Sequence, residues 1–407
     1  VSERARRVLE ECLSIAAMSE EPGRITRRFL TEPMHRVHAH LRKQMEDLGM
    51  QVRVDAAGNL RGWWPAEASN GDRLIIGSHL DTVPNAGAYD GILGVVIGLE
   101  WVRLAQAMRR DCPVEVVGFS EEEGVRYGVP FLGSRAMTGC FDSGLLGLVD
   151  ANGITVEEAI RQFGLRPSQI VQAEMDGGVR GFVEVHIEQG PVLDAEGLQV
   201  AAVEAIVGQT RGSLEFTGQA NHAGTTPMHL RRDAMAAAAE WITEAESLAQ
   251  RTPGLVATVG RVSVAPNAGN VIAGSVAASL DCRHADDSVR RAAVDQLTKR
   301  AEEIAIRRGL SVRWTEHMNQ PAVPMDLRLT AMMADAIRDA GFQVRRMTSG
   351  AGHDAMIMAP RVPATMLFLR SPGGISHHPD EAVLLEDIEA SLLVAEQFLK
   401  RLASSVR

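Results

Sequence analysis

Apolar residues recur at helical spacing over 30–48, where Met34, Val37, Leu41, Met45 and Leu48 line one face. Thr31 is placed to cap that helix, and Pro33 falls in its first turn, where proline is tolerated. A long apolar run predicts a helix over 92–108, and amphipathic patterns predict others over 8–18 and 385–402. Thr155-Val-Glu-Glu158 is a capping box opening a helix over 156–163. Segments 52–54 and 60–64 read as a hairpin around Ala-Ala-Gly-Asn. Buried strands are expected at 74–76, 114–120, 181–190 and 364–369, the last entered just after Pro363.

Between 209 and 316 the texture changes. The order there is strand (213–216), helix (230–248), strand (256–264), strand (271–282), helix (288–307), strand (310–314). This βαββαβ order is the ferredoxin-like pattern. It interrupts an α/β domain whose last strand comes afterwards. The expected organisation is therefore one α/β domain from 1–208 and 321–407, with an inserted ferredoxin-like domain over 209–320 on hinges near 208 and 320.

A chain of 407 residues exceeds what one core usually fills, which agrees with two domains. Lys+Arg 42 against Asp+Glu 52 gives a net charge of −10, which argues against a nucleic-acid or membrane-surface partner. It leaves room for a small anionic substrate, which needs only a local arginine. No apolar stretch is long enough to span a membrane. Cys12, Cys112, Cys140 and Cys282 are scattered, without CxxC spacing, and read as buried or half-buried thiols of a reducing compartment, with the cytosol the expected home.

The candidate chemistry sits where strands stop. The first of these strands delivers His79, Asp81 and, after a glycine-rich loop, Asp90. The next exits into Glu121-Glu-Glu-Gly124, three carboxylates whose mutual repulsion asks for a cation. The third ends on His186, Glu188 and Gln189, and the last leads to Ser371-Pro-Gly-Gly-Ile-Ser-His-His-Pro379. In open α/β sheets ligands bind beyond the carboxyl ends of strands. Imidazole and carboxylate together suit Zn or Mn; the same acids could also cap the helices that follow. His35, His38 and His40 form a second cluster, but no acid converges with them, and they read as a solvated helix face.

Nine motifs in order carry a resemblance to the M20-type metallopeptidase superfamily, in its hydantoinase/carbamoylase amidase branch of allantoate amidohydrolases, N-carbamoyl-L-amino-acid hydrolases and β-ureidopropionases. They are Gly77-Ser-His-Leu-Asp-Thr-Val, Tyr89-Asp-Gly, Glu121-Glu-Glu-Gly, Val185-His-Ile-Glu-Gln-Gly, Gly208-Gln-Thr-Arg, Asn221-His-Ala-Gly-Thr-Thr-Pro-Met, Asp281-Cys-Arg, Ser349-Gly-Ala-Gly-His-Asp-Ala and Gly374-Ile-Ser-His. The resemblance implies a metal-binding catalytic α/β domain, with the insert serving as lid and dimerisation domain. It implies two divalent ions per subunit, Zn or Mn. His79, Asp90 and His186 would hold one; Asp90, Glu123 and His377 would hold the other. Asp81 would orient His79, and Glu122 would be the general base. Gln189, Gln209, His222, Asn270, Arg283 and Gly352 would bind substrate, with His222 completing the site of a partner subunit in a homodimer.

Two departures from the family pattern stand out. The last motif doubles its histidine, so His378 rivals His377, and the loop reads Asn85-Ala-Gly-Ala-Tyr-Asp instead of a double-glycine form. The expected reaction is hydrolysis of the C–N bond of a small ureido acid, with release of ammonia and carbon dioxide. Allantoate is favoured, and an N-carbamoyl-L-amino acid or 3-ureidopropionate is the alternative. An aminopeptidase of the same superfamily would not need the Arg283/Asn270 pair. GxSxG, HExxH and P-loop motifs are absent. A metal-free binding homologue would lack a ligand or base, and every expected position is filled.

Overall fold

A computed structural model describes residues 2–65, 72–108 and 112–404. It divides into two compact units, residues 1–204 with 325–407, and residues 205–324. The strands before the insert are β1 (Gln51–Val54), β2 (Leu60–Trp64), β3 (Arg73–His79), β4 (Val114–Phe119), β5 (Val179–Ile187) and β6 (Val200–Ile206), the last crossing the boundary. The insert adds β7 (Gly208–Thr217), β8 (Val256–Thr258), β9 (Val262–Ala265), β10 (Ser275–His284), β11 (Ser311–Gln320) and β12 (Val323–Pro324). β13 (Arg346–Ser349) and β14 (Ala364–Leu369) follow.

In the first unit the sheet runs β1-β2-β4-β3-β5-β14-β6, with β13 also on β6. Its four central strands are parallel: β3 pairs with β4 and β5, and β14 with β5. Antiparallel β1–β2 and β6 flank them. The parallel strands are buried almost throughout, as the apolar runs of 74–76 and of 364–369, interrupted only by Thr365, foretell.

Helices α1 (Glu3–Ala16), α2 (Glu32–Asp47) and α3 (Ile92–Ala107) begin the chain's helical set. α3 is buried on nearly every side because it lies between the sheet and other helices. Its approach to the sheet is close: a Cβ on Gly94 would lie 2.1 Å from the Val185 carbonyl oxygen. Small helices α4 (Leu132–Met137), α5 (Val156–Gln162) and α6 (Val192–Glu196) follow, α5 with the capping box of Thr155 and Glu158 formed in both directions.

The second unit carries α7 (Ala234–Arg251) and α8 (Asp287–Arg308) against a sheet ordered β11-β7-β10-β8, with β9 also on β10. α7 starts later than its apolar pattern, because Asp233 caps it and 228–230 form a separate 3-10 turn. The single strand read at 256–264 is broken into β8 and β9. The unit has its own core of Leu214, Phe216, Trp241, Val276, Leu297 and their neighbours. Back in the first unit, α9 (Leu327–Asp339), α10 (Ala355–Met358) and α11 (Leu385–Ser404) complete the chain.

The α2 histidines differ from the solvated face expected of them. His38 is 5% exposed with both ring nitrogens unpartnered, its edge on Phe163. His35 stacks on the same phenyl ring at 3.7 Å, and His40 meets Glu11 and Gln44. No metal-like cluster forms there among the described residues. Cys12, Cys112 and Cys282 are buried thiols, whereas Cys140 is exposed. No helix among the described residues is long and apolar enough to cross a membrane.

Candidate metal centre

Four adjacent parallel strands deliver the site. His79 is the last residue of β3, and Glu122 and Glu123 follow β4; His186 is near the end of β5, and His377 follows β14. Asp90 lies just ahead of α3, where Ile92 N–H donates to the Asp90 carbonyl at 2.8 Å around Gly91. That is a γ-turn, and Gly91 holds the φ of +71° that it demands.

The side chains converge on Asp90. Its Oδ1 is 3.5 Å from His79 Nε2 and 3.2 Å from His186 Nε2, and its Oδ2 is 3.3 Å from His377 Nε2. His377 Nε2 is also 3.6 Å from Glu123 Oε1. Three groups could each hold a cation: His79/Asp90/His186, His79/Glu122/Glu123 and Asp90/Glu123/His377. His378 stands apart, 3.6 Å from Asp380 on the surface.

The hydrogen bonds fix what these atoms offer. His79 Nδ1 donates to the Asp81 carbonyl at 2.9 Å, and His186 Nδ1 to the Ile187 carbonyl at 2.9 Å. As metal ligands both rings would therefore keep the proton on Nδ1 and turn the Nε2 lone pair inward. Those two lone pairs face each other at 3.5 Å and face a carboxylate. Apart from the Gln189 amide, which donates to Asp90, the groups that converge there are acceptors, and Glu123 Oε1 is buried without a hydrogen-bond partner. This donor set fits a divalent cation bound by nitrogen and oxygen, with the outer ring nitrogens held by backbone carbonyls.

Asp81 meets the His79 ring through its main-chain oxygen at 2.9 Å; its carboxylate Oδ1 is farther from that nitrogen, at 3.9 Å. The carboxylate instead accepts the N–H groups of Glu122 (3.0 Å) and Glu123 (3.1 Å), fixing the loop that presents them. Of the three consecutive acids, Glu121 turns away. Its backbone is left-handed (φ 52°), and its side chain accepts the N–H groups of Arg126 and Tyr127. Glu188 likewise caps α6 through the N–H groups of Val192 and Leu193.

Burial drives these acids upward: Glu123 to about 7 and Glu121 to about 8, with Glu122 also well above the usual carboxylate range. Asp90 goes the other way. The three histidines outweigh its burial and hold it well below the usual range. His377, bonded to Asp90, rises to about 9.

Gln189 reaches into the same centre, its Nε2 3.1 Å from Asp90 Oδ2, 3.2 Å from Ser376 Oγ and 3.3 Å from His377 Nε2. Like His377, it adopts a left-handed φ, a strain typical of functional positions. Gly352 sits where a Cβ would meet the Phe131 ring at 3.0 Å.

Several supporting residues went unread in the sequence. Glu381 accepts the N–H groups of Tyr89 and Asp90, clamping the Asp90 loop, and leaves Gly87 no room for a side chain. Glu184 accepts from Ser78 and the Ala355 N–H, and His353 packs its ring 4.4 Å from His186. A lone acid four residues past His377 follows no spacing rule, so only the fold reveals Glu381.

The other expected residues lie in the second unit. His222 is exposed, and its Nδ1 accepts the N–H groups of Gly224 (3.0 Å) and Thr225 (3.2 Å), which places the proton of the neutral ring on Nε2. A backbone bridge from His222 to Val271 brings Asn270 beside it. Arg283 binds Asp281 in a two-point fork, both contacts 2.8 Å, and Arg211 shares that carboxylate. Gln209 Nε2 donates to Gln320 Oε1 at 2.8 Å.

Residues 75–401 match the family described as Peptidase family M20/M25/M40. N-carbamoyl-L-amino acid amidohydrolase of Geobacillus stearothermophilus is 38% identical over 388 residues, covering 94% of each chain. Allantoate deiminase 2 of Glycine max is 36% identical over 425 residues, covering 96% of this chain and 88% of that protein. Among solved structures, a hydantoinase/carbamoylase family amidase from Burkholderia ambifaria superposes with a TM-score of 0.91 at 33% identity, covering 98% of this chain and 97% of that one.

Proposed function

The chain belongs to peptidase family M20/M25/M40, and from that premise we propose that it is a metal-dependent hydrolase of the ureido C–N bond of a small ureido acid, releasing ammonia and carbon dioxide. The observation that carries the metal dependence is the meeting of two imidazole lone pairs, Asp90 and Glu123 with no donor among them. The ureido acid follows from relatives that act on allantoate or on N-carbamoyl-L-amino acids along nearly the whole chain. Allantoate is the first candidate. The alternative is an N-carbamoyl-L-amino acid, supported by the 38% identity of that relative.

His79, Asp90 and His186 would hold one ion, and Asp90, Glu123 and His377 the other, Zn or Mn, with Asp90 shared. When bound, such a pair lowers the pKa of water and polarises a carbonyl oxygen. Glu122, held by the Asp81 contact to its N–H, takes the proton from the attacking water and passes it to the leaving nitrogen. His222 Nε2–H donates to the oxyanion that forms on the ureido carbonyl. Arg283 offers its guanidinium to the substrate carboxylate, in exchange for part of its contact with Asp281. Gln189, Gln209, Asn270 and Gly352 complete the substrate contacts. The second unit serves as lid and dimerisation domain, and His222 acts on the partner subunit's substrate.

The test is metal-stripped protein reloaded with Mn or Zn and offered allantoate, N-carbamoyl-L-amino acids, 3-ureidopropionate and dipeptides, with ammonia and free amine measured. Ammonia from a ureido acid is expected. Release of amine from dipeptides alone would overturn the reading. Glu122→Gln should keep ion binding and lose turnover by ~10²–10⁴-fold. Mixing Glu122→Gln with His222→Gln protein should restore activity if the site is shared between subunits.

A further inference from the structure

His222 lies on the exposed connection between β7 and α7, a poor place for a group that must be aimed. Its ring is set by two N–H groups of its own turn, those of Gly224 and Thr225. Its carbonyl accepts from Thr226 Oγ1 at 2.9 Å. The bridge to Val271 holds the backbone of 221–223 but does not reach 224–226. Arg231 does. Its Nη2 donates to the Ala223 carbonyl at 2.6 Å and its Nε to the Thr226 carbonyl at 3.1 Å, so one planar fork spans the turn.

The other end of that fork is rigid. Two residues on, Asp233 caps α7 by accepting the N–H groups of Met235 and Ala236. α7 is rooted by buried Ala234, Ala237, Ala238 and Trp241, whose indole donates to the Leu297 carbonyl. We infer that Arg231 is a positioning residue: it ties the exposed turn to the core of its unit and so presets His222 as an Nε2–H donor. This rests on the donor role proposed above for His222. Without the fork, Gly224 and Thr225 lose their fixed place and the imidazole loses both the contacts that define its tautomer and its direction.

The experiment compares Arg231→Ala, Arg231→Lys and Arg232→Ala in the zinc-loaded protein with allantoate as the substrate. Arg232→Ala removes the same charge next door and is the control. Arg231→Ala should lower kcat on the order of 10²-fold, the loss a misplaced catalytic group brings, with KM changed far less. Arg231→Lys, a point charge that cannot span both carbonyls, should fall between. Added guanidinium ion should restore part of the Arg231→Ala rate. Spectra of ¹⁵N-histidine protein, with His222 assigned by its loss in His222→Gln, should show an Nε2–H tautomer in the parent and an averaged ring in Arg231→Ala.

An Arg231→Ala protein with the parent's His222 signal overturns the inference whatever its rate. So does one whose kcat stays within about twofold of the parent's, less than half a kcal/mol, while His222→Gln is crippled. Full activity in His222→Gln would instead remove the donor role itself, and the tautomer spectra would still show whether Arg231 holds the turn.

Discussion

Gly91→Ala tests whether the γ-turn ahead of α3 sets the metal centre. The present backbone, φ +71° and ψ −55°, is one that L side chains rarely adopt. Forcing alanine into it costs ~1–3 kcal/mol. The added Cβ would also lie 2.5 Å from Cγ, Nδ1 and Cε1 of His79, so ring and turn must part by about 1 Å to reach ordinary contact. His79 has nowhere to go: it is 2% exposed, its Nδ1 is tied to the Asp81 carbonyl, and its Nε2 faces His186 and Asp90. Overpacking of that kind costs a further ~1–3 kcal/mol. The sum, ~2–6 kcal/mol, corresponds to a fall in Tm of at least about 4 °C at ~2–4 °C per kcal/mol. Asp90 is the one carboxylate shared by both candidate ion sites, so the same displacement should weaken ion binding at least ~10-fold, about 1.4 kcal/mol. Isothermal titration of metal-stripped protein with Zn or Mn, beside a thermal melt, measures both. Gly98→Ala is the comparison, because its Cβ would press only on Val116 and Ile76, at 3.2 and 3.3 Å; it should lower Tm without touching affinity. A Gly91→Ala protein that binds ions within about threefold of the parent, ~0.65 kcal/mol, would refute the reasoning.

Two further perturbations follow from other contacts. Burial, with His35 and Arg42 adding to it, pushes His38 down to about 3 from its ordinary 6.5. Between those values the unfolded chain holds the extra proton, so stability rises with pH; the deficit from His38 at pH 5 is roughly 2 kcal/mol. His38→Leu should flatten that part of the urea-unfolding profile between pH 4 and 7, and an unchanged slope would show that His38 is not neutral in the fold. Asp81→Asn places an amide N–H₂ against one of the two backbone N–H groups now accepted by the carboxylate. It should cost about 1–3 kcal/mol in denaturant unfolding and lower kcat through the loop carrying Glu122 and Glu123, whereas a variant with parental kcat would free that loop from Asp81.

The strands that build the site were legible because parallel strands buried on both faces are rich in apolar residues, and His or acidic residues lie at or beyond the exit of each. β6 and α9 left no such mark. The Val-Ala-Ala-Val-Glu-Ala-Ile of β6 alternates too weakly to separate strand from helix, and its burial between β14 and β13 is a tertiary fact. The α2 histidines show the same limit from the other side. Spacing placed them on a helix, yet Phe163, far along the chain, decides that His35 stacks and His38 is enclosed.

Composition gives no way to rank Glu121, Glu122 and Glu123, since all three are one residue type at one strand exit. What separates them is backbone: the left-handed φ at Glu121 rotates it onto the Arg126–Tyr127 turn, and Asp81 pins the next two N–H groups so that their side chains face His79. The acid that caps a turn and the acids that line the candidate cation site thus differ in backbone conformation and in what holds them: Glu121 is left-handed, and Asp81 holds the other two. A relief of that strain at position 121 would move Glu122 and Glu123 without altering either. Glu121→Gly should therefore retain the backbone conformation but lose the two N–H contacts to the 126–127 turn, and Glu121→Val should lose both. If ion affinity by titration falls for Val and much less for Gly, the dihedral carries the site; equal losses would assign it to the carboxylate.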